Sequence, residues 1–282
     1  LALCADDELL EIARNTVKSR EQSLQLTQLR YQHGTASELD LRQAQSLAAS
    51  ARAALAQFTR QRELDLNALT LLVGQPLAVT PLPRIQSLVF AEVPTGLPSE
   101  VLLQRPDVRQ AEQLLVAANA NIGAARAAYW PRISLTGSLG TASTQLGDLF
   151  KDGAWSFAAQ LLMPIFDAGR TESFVRGATA QRDIALAQYE RAIQAAFRDV
   201  ADALAGRATL VDQLRALEVQ RQAEAARLQL VQVRVDNGVG TTLELLDAER
   251  SLFAAAQAEV QTRLAEQQSR IAMYRALGGG VQ

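Results

Sequence analysis

The chain has 282 residues, 48% of them hydrophobic, and a formal net charge of -2 from 28 Lys and Arg against 30 Asp and Glu. That balance supplies no electrostatic pull toward nucleic acid or an anionic membrane surface, so no nucleic-acid partner is expected. A single cysteine excludes an internal disulfide, and the single histidine, His33, with no CxxC or HExxH spacing, gives no basis for a metal site or a cofactor.

Aromatic residues make up only 5%, so the core must be built from Ala, Leu and Val, which suits closely packed helices. Leu1 already lies in a helical pattern, with no signal-sequence pattern ahead of it. Cys4 follows Leu3 instead of a small residue and reads as a helix position, not a lipid-bearing cysteine. No run of 18 apolar residues occurs, so no membrane-spanning helix is encoded.

The first segment to carry information is Leu24-Gln25-Leu26-Thr27-Gln28-Leu29-Arg30, which returns 204 residues later as Leu228-Gln229-Leu230-Val231-Gln232-Val233-Arg234. The same offset pairs Gly34 with Gly238 and Gly74 with Gly278. The chain is a duplication, an assembly of like parts. All eight prolines lie between Pro76 and Pro164, leaving the first 75 and last 118 residues free of the strongest helix breaker.

Those two stretches predict helical hairpins, about 5–73 and 171–277. Gly34 and Gly238 end the outgoing helices as left-handed caps, and Ser37 with Asp40 and Thr241 with Glu244 open the returning ones as capping boxes. Between the hairpins, residues 74–98 read as an extended, proline-punctuated connector, and Pro106 opens a helix running to about Ala128, with Asp107 near its positive end.

From Pro131 the period changes to two. Ile133, Leu135 and Leu139 alternate with Arg132, Ser134, Thr136 and Ser138, and Phe157, Ala159, Leu161, Met163 and Ile165 alternate beyond a loop, predicting one β-hairpin flanked by Trp130 and Trp155. Two strands do not stand alone in water; about ten residues per arm, apolar on one face, fit one wall of a membrane barrel or a cover on a helical body. Gly137 and Gly140 fall inside a strand and open no helix, so they make no phosphate loop. In the final stretch a helix of roughly 100 Å is predicted over 171–236, with Tyr189, Ile193, Phe197, Val200 and Leu204 as its packing seam.

No catalytic constellation emerges: a base would have to be His33 or a carboxylate, and the acids near turns have capping or ion-pair roles, so an enzyme is not expected. Asp247 stands apart, one turn beyond the Glu244 cap, four residues after Leu243 and three before Arg250. Read from the residues alone, it pairs with Arg250 on a solvated helix face for a few tenths of a kcal/mol, about the worth of such pairs.

The blocks Leu97-Pro98-Ser99, Arg105-Pro106-Asp107, Ala118-Asn119-Ala120-Asn121-Ile122-Gly123, Ala125-Arg126-Ala127-Ala128, Pro131-Arg132-Ile133-Ser134-Leu135-Thr136, Pro164-Ile165-Phe166-Asp167, Ala192-Ile193-Gln194, Phe197-Arg198-Asp199-Val200-Ala201-Asp202-Ala203-Leu204 and Ala276-Leu277-Gly278-Gly279-Gly280 occur in one order along the chain. This succession resembles the outer-membrane efflux proteins of Gram-negative bacteria, the TolC-type exit ducts, and more closely their OprM/NodT-like lipoprotein branch.

The fold class expected is therefore mainly α: two long antiparallel helical hairpins with one β-hairpin of a trimeric membrane barrel. The resemblance implies a homotrimer in outer-membrane lipid, extending into the periplasm. It also implies a periplasmic adaptor and an inner-membrane transporter as partners, in a tripartite pump that exports drugs or other small solutes through a passive duct. Four parts are expected: residues 1–75, a first hairpin; 76–128, a periplasmic connector and helix; 129–167, the membrane strands; and 168–282, the second hairpin. The repeat offset places another strand pair ahead of Leu1, so the chain is expected to be a C-terminal fragment lacking a signal sequence and a lipid-bearing cysteine.

The resemblance also implies that Leu243, Asp247 and Arg250 line or brace a periplasmic gate, where three Asp247 carboxylates around one axis favour proton or cation uptake. Tyr31, Asp40 and Glu244 are implied tip contacts, and Trp130 and Trp155 interface aromatics. The family often has a tyrosine just before the tip glycine; it is Tyr31 in the first repeat but Val235 in the second. Two other functions remain: a periplasmic adaptor or scaffold that docks envelope proteins, and the outer-membrane component of a type I secretion system.

Overall fold

The computed structural model describes residues 1–76, 82–88, 90, 103–142, 144 and 153–279. The chain divides into two compact units, Leu1–Gly96 with Asp199–Gly279, and Leu97–Arg198 with Gly280–Gln282.

The first unit holds α1 (Ala2–Gln32), α2 (Glu38–Val73), most of the 67-residue α4 (Arg170–Asp236), and α5 (Thr242–Ala276). Each hairpin turns in the same way. The amides of Gly34 and Thr35 donate back to the carbonyls of Tyr31 and Arg30, and those of Gly238 and Val239 donate to Val235 and Arg234, which satisfies carbonyls the helix ends would orphan. Both glycines sit at φ +74 with open space where a Cβ would go, so strain alone opposes a side chain there. Gly34→Ala and Gly238→Ala are each expected to cost about 1–2 kcal/mol, read as a lower denaturation midpoint of the full-length protein. An unchanged midpoint would show that the turn does not need the left-handed residue.

The duplication visible in sequence also holds in burial. On α2, Leu41, Ala44, Ala51 and Phe58 are buried; shifted by 204 they are Leu245, Ala248, Ala255 and Thr262, all buried on α5. Their three- and seven-residue steps follow the 3.5-residue period of helices wound lengthwise around one another. The mainly helical, antiparallel architecture expected from sequence is the one observed.

Ion pairs cross both hairpins. Asp7 accepts from Arg62 at 2.6 Å between α1 and α2. Between α4 and α5, buried Glu259 accepts from Arg221 and, at 2.7 Å, from Arg263, which also reaches Glu218 at 3.0 Å.

Residues 74–98 contain a 3-10 turn, Ile85–Ser87, where only extended chain was expected. Ile85 is fully buried in a cluster with Leu9, Leu10, Ala13, Phe58 and Val260, and its amide donates to Glu8 Oε1 at 2.9 Å. Residues 77–81, 89 and 91–102, including the Leu97-Pro98-Ser99 block, lie outside the described residues.

The second unit contains α3 (Pro106–Ala127), β1 (Arg132–Thr141), β2 (Gly153–Leu162) and the start of α4. Pro106 occupies the first helical position, where its missing amide costs nothing. The Arg105 guanidinium, donating to both Asp107 oxygens, holds that carboxyl below the usual carboxylate range.

β1 and β2 pair antiparallel, Arg132 opposite Leu162 through Thr141 opposite Gly153. β2 ends at Leu162, short of the expected Met163 and Ile165, because Pro164 has no amide for a ladder. Trp155 lies within β2 opposite Leu139, not flanking the strands as expected, while Trp130 does precede β1. The expected seam of α4 is also corrected. Of its residues Tyr189, Ile193 and Val200 are half-buried, whereas Phe197 and Leu204 are about half exposed, and within this stretch Ala185, Ala196 and Ala203 are buried. Alanine lets helices approach closely, so the small residues occupy the packed stripe and the large ones stand beside it.

Candidate functional site

Two features distinguish the described residues from a plain helical bundle: the polar tip of the second hairpin and the apolar face of the strand pair.

At the tip, Val231 of α4 packs with Leu245 and Ala248 of α5, with Leu228 and Val235 against them, fixing which residues lie across the turn. Thr241 Oγ1 accepts from the Glu244 amide while Glu244 accepts from the Thr241 amide, each at 3.2 Å, so Glu244 is occupied as a cap. Its carboxylate also stands 3.8 Å from Arg234. Asp40 is likewise held by Ser37, whose amide and hydroxyl both donate to Asp40 Oδ2. Tyr31 is exposed on the last turn of α1, whereas its counterpart Val235 packs on the tip cluster.

Asp247 is positioned by the same register. Arg227 of α4 donates to its Oδ2 at 2.7 Å and Arg250 to its Oδ1 at 2.5 Å, while Arg227 also contacts Glu224 at 3.1 Å. The Arg227 hydrogen bond, with Arg250 beside it, holds the Asp247 carboxyl below the ordinary carboxylate range. Within one chain, then, the pull on this carboxyl opposes the proton uptake expected from three carboxylates around an axis. Leu243 is exposed, and with Asp247 and Arg250 it faces Gln43, Ser46 and Leu47 of α2 across a cavity of about 240 Å³.

Arg227 did not emerge from the sequence. A usable signal was present: it lies eleven residues before Gly238 and Asp247 nine after, so reflection through the tip turn brings them together.

On the strand pair, Ile133 with Leu161, Leu135 with Ala159, Gly137 with Phe157 and Leu139 with Trp155 are directly opposed, and Ser134 with Gln160, Thr136 with Ala158 and Ser138 with Ser156 alternate with them. Successive strand residues point to opposite faces, so one face is apolar and the other small and polar. Ser138 and Ser156 share a 2.7 Å hydrogen bond on the polar face. On the apolar face, Ile133 is 75% exposed, Leu139 89% and Trp155 77%, a patch that soluble monomers seldom leave uncovered. Among the described residues no helix is long and apolar enough to cross a membrane, and no cluster of His, Cys, Asp and Glu is arranged to hold a metal ion.

A repeated, capped helical hairpin and a two-faced strand pair define a known class. Residues 1–75 and 97–279 match the family described as outer membrane efflux protein, and the chain belongs to that family. It is 46% identical over 280 residues to the solvent efflux pump outer membrane protein SrpC of Pseudomonas putida, covering 98% of this chain and 59% of that protein. Outer membrane protein OprJ of Pseudomonas aeruginosa is 42% identical over 276 residues, 96% of this chain and 58% of its own length. Among solved structures, the open state of the Neisseria gonorrhoeae MtrE outer membrane channel is similar with a TM-score of 0.79 at 38% identity, over 100% of this chain and 64% of that one. The Campylobacter jejuni CmeC outer membrane channel gives 0.84 at 25% identity, over 100% and 61%. The chain thus spans about 59% of the length of the curated relatives it matches.

Proposed function

We propose that this chain belongs to a passive exit duct. In this reading a homotrimer sits in the outer membrane, extends into the periplasm, and conducts drugs or other small solutes delivered by an inner-membrane transporter through a periplasmic adaptor. No bond is made or broken on the chain, and the energy comes from the partner.

The observation that carries this reading is the strand pair. Ten residues at about 3.3 Å each give about 33 Å, and a tilt of about 40° reduces the crossing to about 25 Å, the height of the apolar band of an outer-membrane barrel. An apolar face of Ile133, Leu135, Leu139, Trp155, Phe157 and Leu161 suits lipid, and the small polar face suits a wet lumen. Two strands have open edges, so closure requires further strands from elsewhere in the assembly. An adaptor that docks envelope proteins through its coils has no use for this face. Recovery of the full-length protein in detergent-extracted outer membranes is the expected result; a freely soluble full-length protein would reject the duct.

At the tip, Asp247 serves as a gate residue together with Arg227, Arg250 and the exposed Leu243. Removing the carboxylate breaks the Arg227–Asp247 tie between α4 and α5 and leaves Arg250 without this partner, while Arg227 keeps Glu224, which loosens the two helices locally. Asp247→Ala is expected to raise the ionic conductance of single trimers of the full-length protein in planar bilayers. Unchanged conductance would reduce Asp247 to an intrahelical and interhelical tie.

A further inference from the structure

β1 and β2 are almost free of charge. Among the ten residues of each strand, Arg132 is the one charged side chain. The apolar face carries none, and the other face is Ser, Thr, Gln, Ala and Gly apart from Arg132 and the Leu162 opposite it. A single guanidinium in so neutral a wall sets the sign of the field around it, because nothing within the strands offsets it.

Alternation places Arg132 on the face of Ser134, Thr136 and Ser138, not on the face of Ile133, Leu135 and Leu139. The pairing leaves it uncompensated. Directly opposite lies Leu162, and the diagonal neighbour on the same face is Gln160. The acids that follow β2 are engaged elsewhere: Asp167 accepts from the Gly169 and Thr171 amides at 3.1 and 2.9 Å, and Glu172 stands 3.9 Å from Arg176. Asp107, ahead of β1, is held by Arg105 at 2.7 Å. Arg132 is exposed, and among the described residues no carboxylate pairs with it.

Its place along the strand matters as well. Arg132 opens β1 shortly after α3, and Leu162 closes β2 shortly before α4, so the charge stands at the strand end that adjoins the helices. Arginine stays ionised at any pH a cell meets, so this is a fixed charge. With no partner in the fold, it acts on whatever passes in the water beside it.

We propose that Arg132 is a charge-selecting residue: its copies, one from each chain, ring the lumen where the strands meet the helices and favour anionic small solutes over cationic ones. This rests on the duct reading, which supplies both the lumen and the copies.

The test compares two thiol reagents of similar size and opposite charge, sulfonatoethyl and trimethylammonioethyl methanethiosulfonate, on Ser134→Cys in the full-length protein held in outer membranes. Cys4, buried and common to every variant, sets the background. Ser134 lies two residues from Arg132, about 7 Å along the strand. At about 0.01 M salt the ratio of anionic to cationic rates is expected to be about fivefold higher with Arg132 than with Arg132→Gln, the size that one charge at this distance in water gives for reagents of opposite sign. At about 1 M salt, where screening acts within about 3 Å, the gap is expected to close. Thr136→Cys, about 13 Å away, is expected to show about a twofold gap at low salt. Arg132→Lys is expected to keep the ratio, and Arg132→Glu to push it below the Gln value. A ratio that Arg132→Gln leaves unchanged would overturn the proposal, as would a Lys variant that behaves like the Gln one, or a face that neither reagent reaches at Ser134→Cys or Thr136→Cys. The duct is judged separately by Leu135→Cys on the opposite face, which lipid is expected to shield from both reagents. Labelling there as fast as at Ser134→Cys would condemn the lipid face, while the ratio at Ser134→Cys would still judge Arg132. Both reagents enter from the open end of the strands, so the state of the tip does not alter the result.

Discussion

Ile85→Ala is expected to lower the stability of the full-length protein by about 2–5 kcal/mol, read as a fall in its denaturant or thermal midpoint. Ile85 has no exposed surface and lies in one cluster with α1, α2 and α5. Its removal leaves a cavity where those three helices converge, and that region cannot collapse easily because the Ile85 amide is held by Glu8. The milder Ile85→Val is expected to cost about 0.5–1.5 kcal/mol. Leu71→Ala serves as the reference, since Leu71 is 83% exposed and surface truncations change little. If Ile85→Ala shifted the midpoint no further than Leu71→Ala, the 3-10 turn would be a surface ornament and not part of the core.

The second large effect is a pH dependence centred on Asp6. This residue is buried on α1, and burial, followed by a hydrogen bond to the Asp65 carboxyl of α2, pushes its pKa up from 3.8 to about 7. The Asp65 and Asp7 charges push in the same direction, and Arg62 pulls back. The folded chain therefore binds a proton more tightly than the unfolded chain does. The stability this confers is fully present below about pH 4 and is lost as pH rises through about 7. At about 1.4 kcal/mol per pH unit the interval is worth on the order of 4 kcal/mol. Asp6→Asn, which cannot ionise, is expected to flatten the stability profile between those limits and to make the protein more stable than the unmodified one at pH 8. Parallel profiles for the two proteins would show that Asp6 does not share a proton in the fold.

The duplication, both turns and their caps were legible in the sequence because each rests on local chemistry. A left-handed glycine and a Ser or Thr followed three residues later by an acid leave the chain few alternatives. The Arg105-Pro106-Asp107 helix start was legible for the same reason. Residues whose role depends on a neighbouring helix were not. Phe197 and Leu204 have the right spacing for a seam, yet Ala196 and Ala203 are buried in their place, because periodicity fixes a stripe without fixing which side of it touches. Ile85 was hidden in a proline-rich stretch with no period at all. Arg227 and Glu259 are charged residues on helices, and composition assigns such residues to solvent. Only the antiparallel register, measured outward from each turn, brings Arg227 to Asp247 and Arg62 to Asp7. At the candidate gate, sequence supplied Leu243, Asp247 and Arg250 but not the cation that clamps the carboxylate.

Each long coil reverses direction within five residues, 33–37 in one repeat and 237–241 in the other, and each reversal carries its complete set of backbone bonds within itself. Closing so short a link sacrifices little chain entropy, and every later contact between the two arms then lies next to one already formed. Zipping from the bend toward the open ends is consequently the fast route, and it needs no help from another subunit. In the proposed trimer, staves prepared in this way would reach the growing assembly already stiff, with only their flanks left to match.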